Sequence, residues 1–315
     1  MKAMNTGRGS GARGGMAVAL VAAGALLASG AARLAAQEPA GSPRERLVVS
    51  PAWLAEHLDD ANLVLLHVGE RAEYDAGHIP GARYIQTQDV SLPRQPGALA
   101  LELPPIADVR SVLEAKGISN DSRIVVYWGG DWVSPATRIV FALDAAGLGD
   151  RTSILDGGMS AWVGEGRPVV TEVPTERRGR LTERQSSVRV VDVEWVEEHV
   201  RAPRAGFALV DGRAGVYYDG VEASQGRNGH IPGAGSVPFT EVTDESGRIA
   251  GDAKLRSLLE GAGVKRGDVV VAYCHIGQQA TAVLFAARLL GHEVRLFDGS
   301  MQEWARDPAR LVERR

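Results

Sequence analysis

The chain has 315 residues, 44% of them hydrophobic and 23% charged, enough apolar material for about two domains of ~150 residues and too much for a disordered or fibrous protein. With 35 lysines and arginines against 39 aspartates and glutamates, the net charge of -4 gives no electrostatic reason to expect a nucleic-acid partner. Cys274 is the only cysteine, which excludes both a disulfide framework within the chain and a multi-thiolate metal site.

In chain order, Lys2, Arg8 and Arg13 precede an apolar run from Met16 to Ala28 that small residues follow. This is the pattern of an export signal over residues 1–36. The run is too short for a membrane span, which takes ~20 apolar residues. The expected mature protein is therefore exported, periplasmic or extracellular, with no stable membrane span after processing.

Past that segment the chain repeats itself. Gly77-His78-Ile79-Pro80-Gly81-Ala82 returns as Gly229-His230-Ile231-Pro232-Gly233-Ala234, and Leu155-Asp156-Gly157-Gly158-Met159-Ser160-Ala161-Trp162 is echoed by Phe297-Asp298-Gly299-Ser300-Met301-Gln302-Glu303-Trp304. One domain has been duplicated, as residues 47–165 and 190–310. The intervening residues 166–189, rich in Arg, Glu, Thr and Pro, are expected to form a linker. Strands are predicted at Leu63–Val68 and at residues 123–127 in the first half, and at Phe207–Asp211, Val269–Tyr273 and Val294–Phe297 in the second. Helical spacing appears at Leu255, Leu258, Leu259 and Ala262, and again at Val283, Ala286, Ala287 and Leu290. Continuous apolar strands alternating with such helices predict an α/β fold, with one mostly parallel sheet per half covered by helices on both faces.

Cys274 directly follows the strand ending at Tyr273, in the run Cys274-His275-Ile276-Gly277-Gln278-Gln279-Ala280-Thr281, with a helix expected to begin near Thr281. A strand-to-helix turn aims backbone N–H groups and the positive end of the helix dipole into one cradle. A sulfur held there is expected to be a thiolate near neutral pH, with its pKa lowered from ~8.5. Gly277 permits the turn. On position alone an inert buried cysteine fits equally well.

The two GHIPGA segments, the Asp-Gly-Gly/Ser-x-x-x-Trp endings and the single cysteine opening a short loop in the second half resemble the tandem-domain rhodanese sulfurtransferases, over roughly residues 47 to 310. The resemblance implies two rhodanese-like domains, of which the second is catalytic. In the first, Trp128 stands where the second has Cys274. It further implies that Cys274 takes sulfane sulfur from a small donor such as thiosulfate or 3-mercaptopyruvate. The resulting persulfide would pass the sulfur to cyanide or a thiol, with no metal or cofactor. The amides from His275 through Gly277, Gln278 and Gln279 to Thr281 would hold the anionic persulfide, and the Thr281 hydroxyl would add a donor or simply cap the helix. Arg213, in Asp211-Gly212-Arg213, would offer a planar fork to the donor's sulfonate or carboxylate, and Arg227 would line the cleft or fix its loop. His275 would be partly cationic at neutral pH. His78 and His230, like Asp156 and Asp298, recur in both halves, which argues for structural roles.

A cysteine phosphatase or arsenate reductase requires an arginine at the far end of such a loop, and this chain has Ala280 there. A non-enzymatic sulfur-carrier or binding module remains the alternative to an enzyme.

Overall fold

A computed structural model describes residues 41–175 and 177–315; the export segment expected at residues 1–36 lies outside them. The described residues form one compact unit. Its first half carries strands β1 (Val48–Val49), β2 (Leu63–Val68), β3 (Arg83–Ile85), β4 (Arg123–Trp128) and β5 (Thr152–Leu155) in one parallel sheet ordered β1-β5-β4-β2-β3. The second half carries β6 (Arg189–Val191), β7 (Phe207–Asp211), a hairpin of β8 (Ala223–Ser224) and β9 (Arg227–Asn228), then β10 (Gly235–Ser236), β11 (Val269–Tyr273) and β12 (Val294–Phe297). Its parallel sheet, read from β6, runs β6-β12-β11-β7-β10. The duplication seen in the motifs is thus a duplication of topology.

The central strands are continuous apolar runs because both faces of each sheet are covered. In β2 and β4 every residue after the first is buried. The helices that cover the first sheet are α1 (Pro43–Leu47), α2 (Pro51–His57), α3 (Arg71–Ala76), α4 (Ile106–Ala115), α5 (Ser134–Ala145) and α6 (Gly158–Gly164). Over the second lie α7 (Val193–Arg201), α8 (Gly215–Tyr218), α9 (Asp252–Gly261), α10 (Gln278–Leu289) and α11 (Ser300–Trp304).

Two of these helices join the halves. In α5 all residues but Pro135 are buried, and α10 is nearly as enclosed; the polar groups this encloses are paired, Arg138 with Asp298 and Asp144 with Arg288. One hydrophobic core runs through Ile139, Val140 and Leu143 of α5 and Ala282, Phe285 and Leu289 of α10. Near their N-termini Thr137 Oγ1 and Thr281 Oγ1 meet at 2.9 Å. These are equivalent positions of the repeat, so the contact lies on the axis relating the two halves.

Strands β2, β7, β11 and β12 fall where the sequence places them, and β4 runs one residue further, to Trp128. Helix α10 starts at Gln278, ahead of the expected start near Thr281, because Gly277 at φ 86° turns the chain into the helix directly. Residues 166–189 do not hang between the halves as a free linker. Val170 pairs with His78, Glu114 accepts from Leu181 N at 2.8 Å and Arg178 Nη2 at 2.8 Å, and Ser187 Oγ donates to Asp144 Oδ1 at 2.6 Å. The segment is a strap tied down by hydrogen bonds.

The GHIPGA segments anchor turns in both halves. Ile79 N donates to Tyr127 Oη at 3.1 Å and Ile231 N to Tyr273 Oη at 3.0 Å. His78 stacks on Tyr74 and His230 on Tyr218, with each Nδ1 hydrogen-bonded to that tyrosine's carbonyl. Beside Tyr127 the first half has His67, whose Nδ1 lies 3.0 Å from the hydroxyl. Burial, aided by His78, lowers the His67 pKa from 6.5 to about 4. The unfolded chain therefore binds the proton more readily, and stability that is intact above pH 6.5 is lost as the pH falls toward 4. Thermal unfolding between pH 7 and 4 should show a loss that His67→Gln reduces, on the order of 3 kcal/mol by pH 4. Equal acid sensitivity in the variant would rule His67 out as its source.

Candidate active site

Strand β11 (Val-Val-Val-Ala-Tyr) delivers Cys274 to the C-terminal edge of the second sheet, the crevice where open α/β sheets bind ligands. The residue is fully buried. The backbone N–H groups of Ala280, Ile276, Gly277 and Gln279 face its sulfur and favour its charged form. A second layer braces the loop from behind. Cys274 N donates to Ser300 Oγ at 3.1 Å, while the carbonyls of Cys274 and His275 accept from Met301 N and Gln302 N, each at 3.1 Å. At Gly277 a Cβ would fall on Asp298 Oδ1, so no other residue fits.

Burial pushes the Cys274 thiol pKa up, and the four amides pull it back only in part. This corrects the expectation of a thiolate near neutral pH: the amide cradle is present, but removal from water outweighs it.

Arg213 is likewise sealed from solvent, as is its partner Asp211. Its Nε lies 3.0 Å from both Asp211 carboxylate oxygens, and its Nη2 donates to Asp211 Oδ2 at 2.6 Å and to Gly229 O at 2.9 Å. Burial works against the charge, yet Asp211 more than offsets it and the guanidinium pKa is raised. The planar fork expected to face a sulfur donor is thus already occupied. Only Nη1 is left without a hydrogen-bond partner among the described residues.

His275 also departs from expectation. Burial, followed by the nearby Arg213 charge and against the pull of Asp211, lowers its pKa to about 4, so it is neutral at physiological pH and brings no positive charge to an anion. Its Nδ1 sits 2.6 Å from Ser224 Oγ on β8, and its ring packs edge-on against Tyr217 of α8 at 4.6 Å. The Thr281 hydroxyl is spent on Gln278 O at 2.6 Å and on Thr137, so it neither faces the sulfur nor caps the helix. Arg227 fixes a loop: its Nη2 donates to Arg310 O at 2.7 Å and its Nη1 to Asp307 O at 3.4 Å. Gln278 borders a cavity of about 430 Å³ shared with Gly69, Gln86, Trp128 and Trp132 of the first half. Gln279 brings its backbone N–H to the sulfur while its side-chain Oε1 is buried without a partner among the described residues.

The first half shows the same geometry emptied of chemistry. Trp128 occupies the cysteine position, and the counterpart of Ser300 is Gly158, where a Cβ would come within 2.7 Å of the indole. Both backbones are left-handed, φ 55° at Gly158 and 52° at Ser300. A serine is strained there, yet only in the second half is a hydroxyl needed to accept the cysteine N–H. That substitution between the repeats was the signal for Ser300, which sequence reasoning missed along with Ser224 and Tyr217.

Residues 50–165 and 192–307 each match the Rhodanese-like domain. The chain belongs to the rhodanese family. It is 32% identical over 278 residues to the sulfur carrier protein TtuD of Thermus thermophilus, covering 84% of this chain and 95% of that one. It is 30% identical over 270 residues to the thiosulfate sulfurtransferase of Azotobacter vinelandii, covering 85% and 97%. The crystal structure of SseA from Escherichia coli, described as a 3-mercaptopyruvate sulfotransferase, superposes with a TM-score of 0.70 at 27% identity, over 80% of this chain and 98% of that one. Of the two rhodanese domains, only the second has a cysteine in the loop.

The direction of the Cys274 shift sets a pH profile. Alkylation by iodoacetamide should be slow at pH 6 and still rising at pH 9, since only the thiolate reacts. A rate already level below pH 7.5 would show that the amides outweigh burial.

Proposed function

We propose that the protein is a sulfurtransferase that carries sulfane sulfur on Cys274. The observation that supports this most directly is the sulfur ringed by four backbone amides, in the one rhodanese domain that has a cysteine. In the first half-reaction the Cys274 thiol, held protonated by burial, loses its proton to solvent and the thiolate attacks the outer sulfur of thiosulfate. A new S–S bond forms, the bond to the sulfonate sulfur breaks, and sulfite leaves with the electron pair. The enzyme is left as Cys274-S-S⁻. Cyanide or a thiolate then takes the terminal sulfur and regenerates the Cys274 thiolate. The four N–H groups stabilise the anion at each stage. Arg213 Nη1, unpaired and beside the loop, is the remaining cationic group for the anionic end of thiosulfate or 3-mercaptopyruvate.

A second reading is favoured by the likeness to the sulfur carrier protein TtuD: a sulfur carrier that receives persulfide sulfur from a protein partner and does not turn over small donors. Steady-state assays separate the two. The enzyme reading requires thiocyanate production from thiosulfate and cyanide, or sulfur release from 3-mercaptopyruvate, and its loss in Cys274→Ser with the circular dichroism spectrum unchanged. A carrier would yield at most one equivalent of thiocyanate from sulfur already loaded on Cys274 and show no continuing turnover of thiosulfate or 3-mercaptopyruvate. Residual turnover in the folded serine variant would refute Cys274 as the carrier of sulfur.

The same proposal places the protein outside the cytoplasm, on the strength of the signal-like residues 1–36. The mass of the mature protein should correspond to a start downstream of the apolar run; an intact Met1 would overturn this.

A further inference from the structure

The loop that carries Cys274 rests on Asp298, and Asp298 is held entirely from the other domain. Its Oδ1 abuts Gly277, itself one of the amide donors to the sulfur. The carboxylate accepts from Arg138 Nη1 at 2.7 Å and Nη2 at 3.2 Å, and from Leu103 N at 2.7 Å. Arg138, on α5, is 0% exposed and Asp298 5%. Arg138 Nη2 also donates to Leu101 O, and Ala100 N donates to Gln302 Oε1 at 2.7 Å. Gln302 N in turn bonds His275 O. Residues 100–103 and Arg138 of the first domain thus clamp the turn that backs the loop of the second.

The clamp is not a by-product of the duplication. Across the axis, Asp156 accepts from Ile249 N at 2.8 Å, as Asp298 does from Leu103. Its arginine, however, is Arg248 at 3.3 Å, with a side chain 37% exposed. The α10 residue equivalent to Arg138 is Ala282, since Thr137 and Thr281 correspond. The fully buried, two-pronged version exists only where the loop holds a sulfur. An aspartate left alone in that setting would be a buried uncompensated charge one loop residue from the sulfur, and it would oppose any anion there.

We propose that Arg138 is a positioning residue for the Cys274 loop: through Asp298, the domain without a cysteine holds the sulfur-binding amides in place and cancels the charge behind them. The proposal deepens the sulfur-transfer reading above and rests on it. It also gives the cysteine-free domain a part in the chemistry.

The test uses the full-length protein and three readouts: the pH profile of Cys274 alkylation, thiosulfate turnover, and thermal unfolding. In Arg138→Leu the alkylation profile should move to higher pH, with the rate at pH 7.5 falling about tenfold. Turnover should lose kcat by a similar factor while KM stays within about twofold, because Arg138 does not touch the sulfur donor. Adding Asp298→Asn to Arg138→Leu should restore most of the alkylation profile by removing the stranded charge. Asp156→Asn, on the mirror side, should lower the melting temperature and leave the profile where it was. An unshifted profile in folded Arg138→Leu, or an equal shift in Asp156→Asn, would overturn the proposal. If Arg138→Leu does not fold, Arg138→Lys decides: a shift of about threefold supports the proposal and a wild-type profile refutes it. Should the wild-type protein fail to turn over thiosulfate, the functional reading falls, whereas the alkylation profiles still decide whether Arg138 governs the loop.

Discussion

Burial of α5 and α10 on all sides is the constraint on which the rest depends. Both helices are almost wholly enclosed, and each half supplies part of the other's core, through Phe239, Val242 and Ile249 as well as through the helices themselves. Apolar area of this extent is the main favourable term in folding. It binds the two rhodanese domains into one body, and the half without a cysteine supplies Phe141 and Ala145 of α5 to the core that holds Cys274. The seam also fixes where polar groups cross. Thr137 meets Thr281 on the axis, and aspartates of the two Asp-Gly motifs reach across on either side of it to a backbone N–H and an arginine.

Inside the second domain the charges are arranged in closed pairs. Arg213 and Asp211 neutralise each other beneath the loop, and Arg138 and Asp298 do so behind it. Removing one member of such a pair leaves a buried charge, at a cost of about 3–5 kcal/mol. This is why Arg213 reads in the structure as part of the floor of the site, with one N–H face of its guanidinium to spare, more than as a freely swinging clamp. His275 makes the same point. A histidine after the cysteine suggested a cation, but held by Ser224 and Tyr217 in a dry setting it stays neutral.

Much of this was legible in the sequence. The repeats announced the duplicated topology, the apolar runs of β2, β4, β7 and β11 announced the parallel sheets, and a lone cysteine after a central strand announced the site. Symmetry between the halves also marked structural residues, since His78 and His230 hold equivalent turns. What was not legible depends on distance in sequence. Edge strands of two or three residues carry no period to detect. The Thr281 hydroxyl was read as a donor to the sulfur or a helix cap, because its partner, Thr137, belongs to the other half. Residues 166–189 looked like a linker by composition, yet their hydrogen bonds to Glu114, His78 and Asp144 are long-range facts. The thiol pKa failed for another reason: sequence shows that amides surround the sulfur but not how far water is excluded.

That exclusion has a consequence for a chain with a single cysteine. A thiolate is the form that oxidants attack, and no second thiol stands by within the chain to trap a sulfenic acid as a disulfide. Burial removes the sulfur from solvent and, by raising the thiol pKa, keeps the resting residue protonated. The amides do not create a thiolate at rest. Their N–H groups are already oriented and need no rearrangement when negative charge develops on sulfur. The same desolvation that raises the thiol pKa makes the amide geometry decisive once negative charge forms on the sulfur.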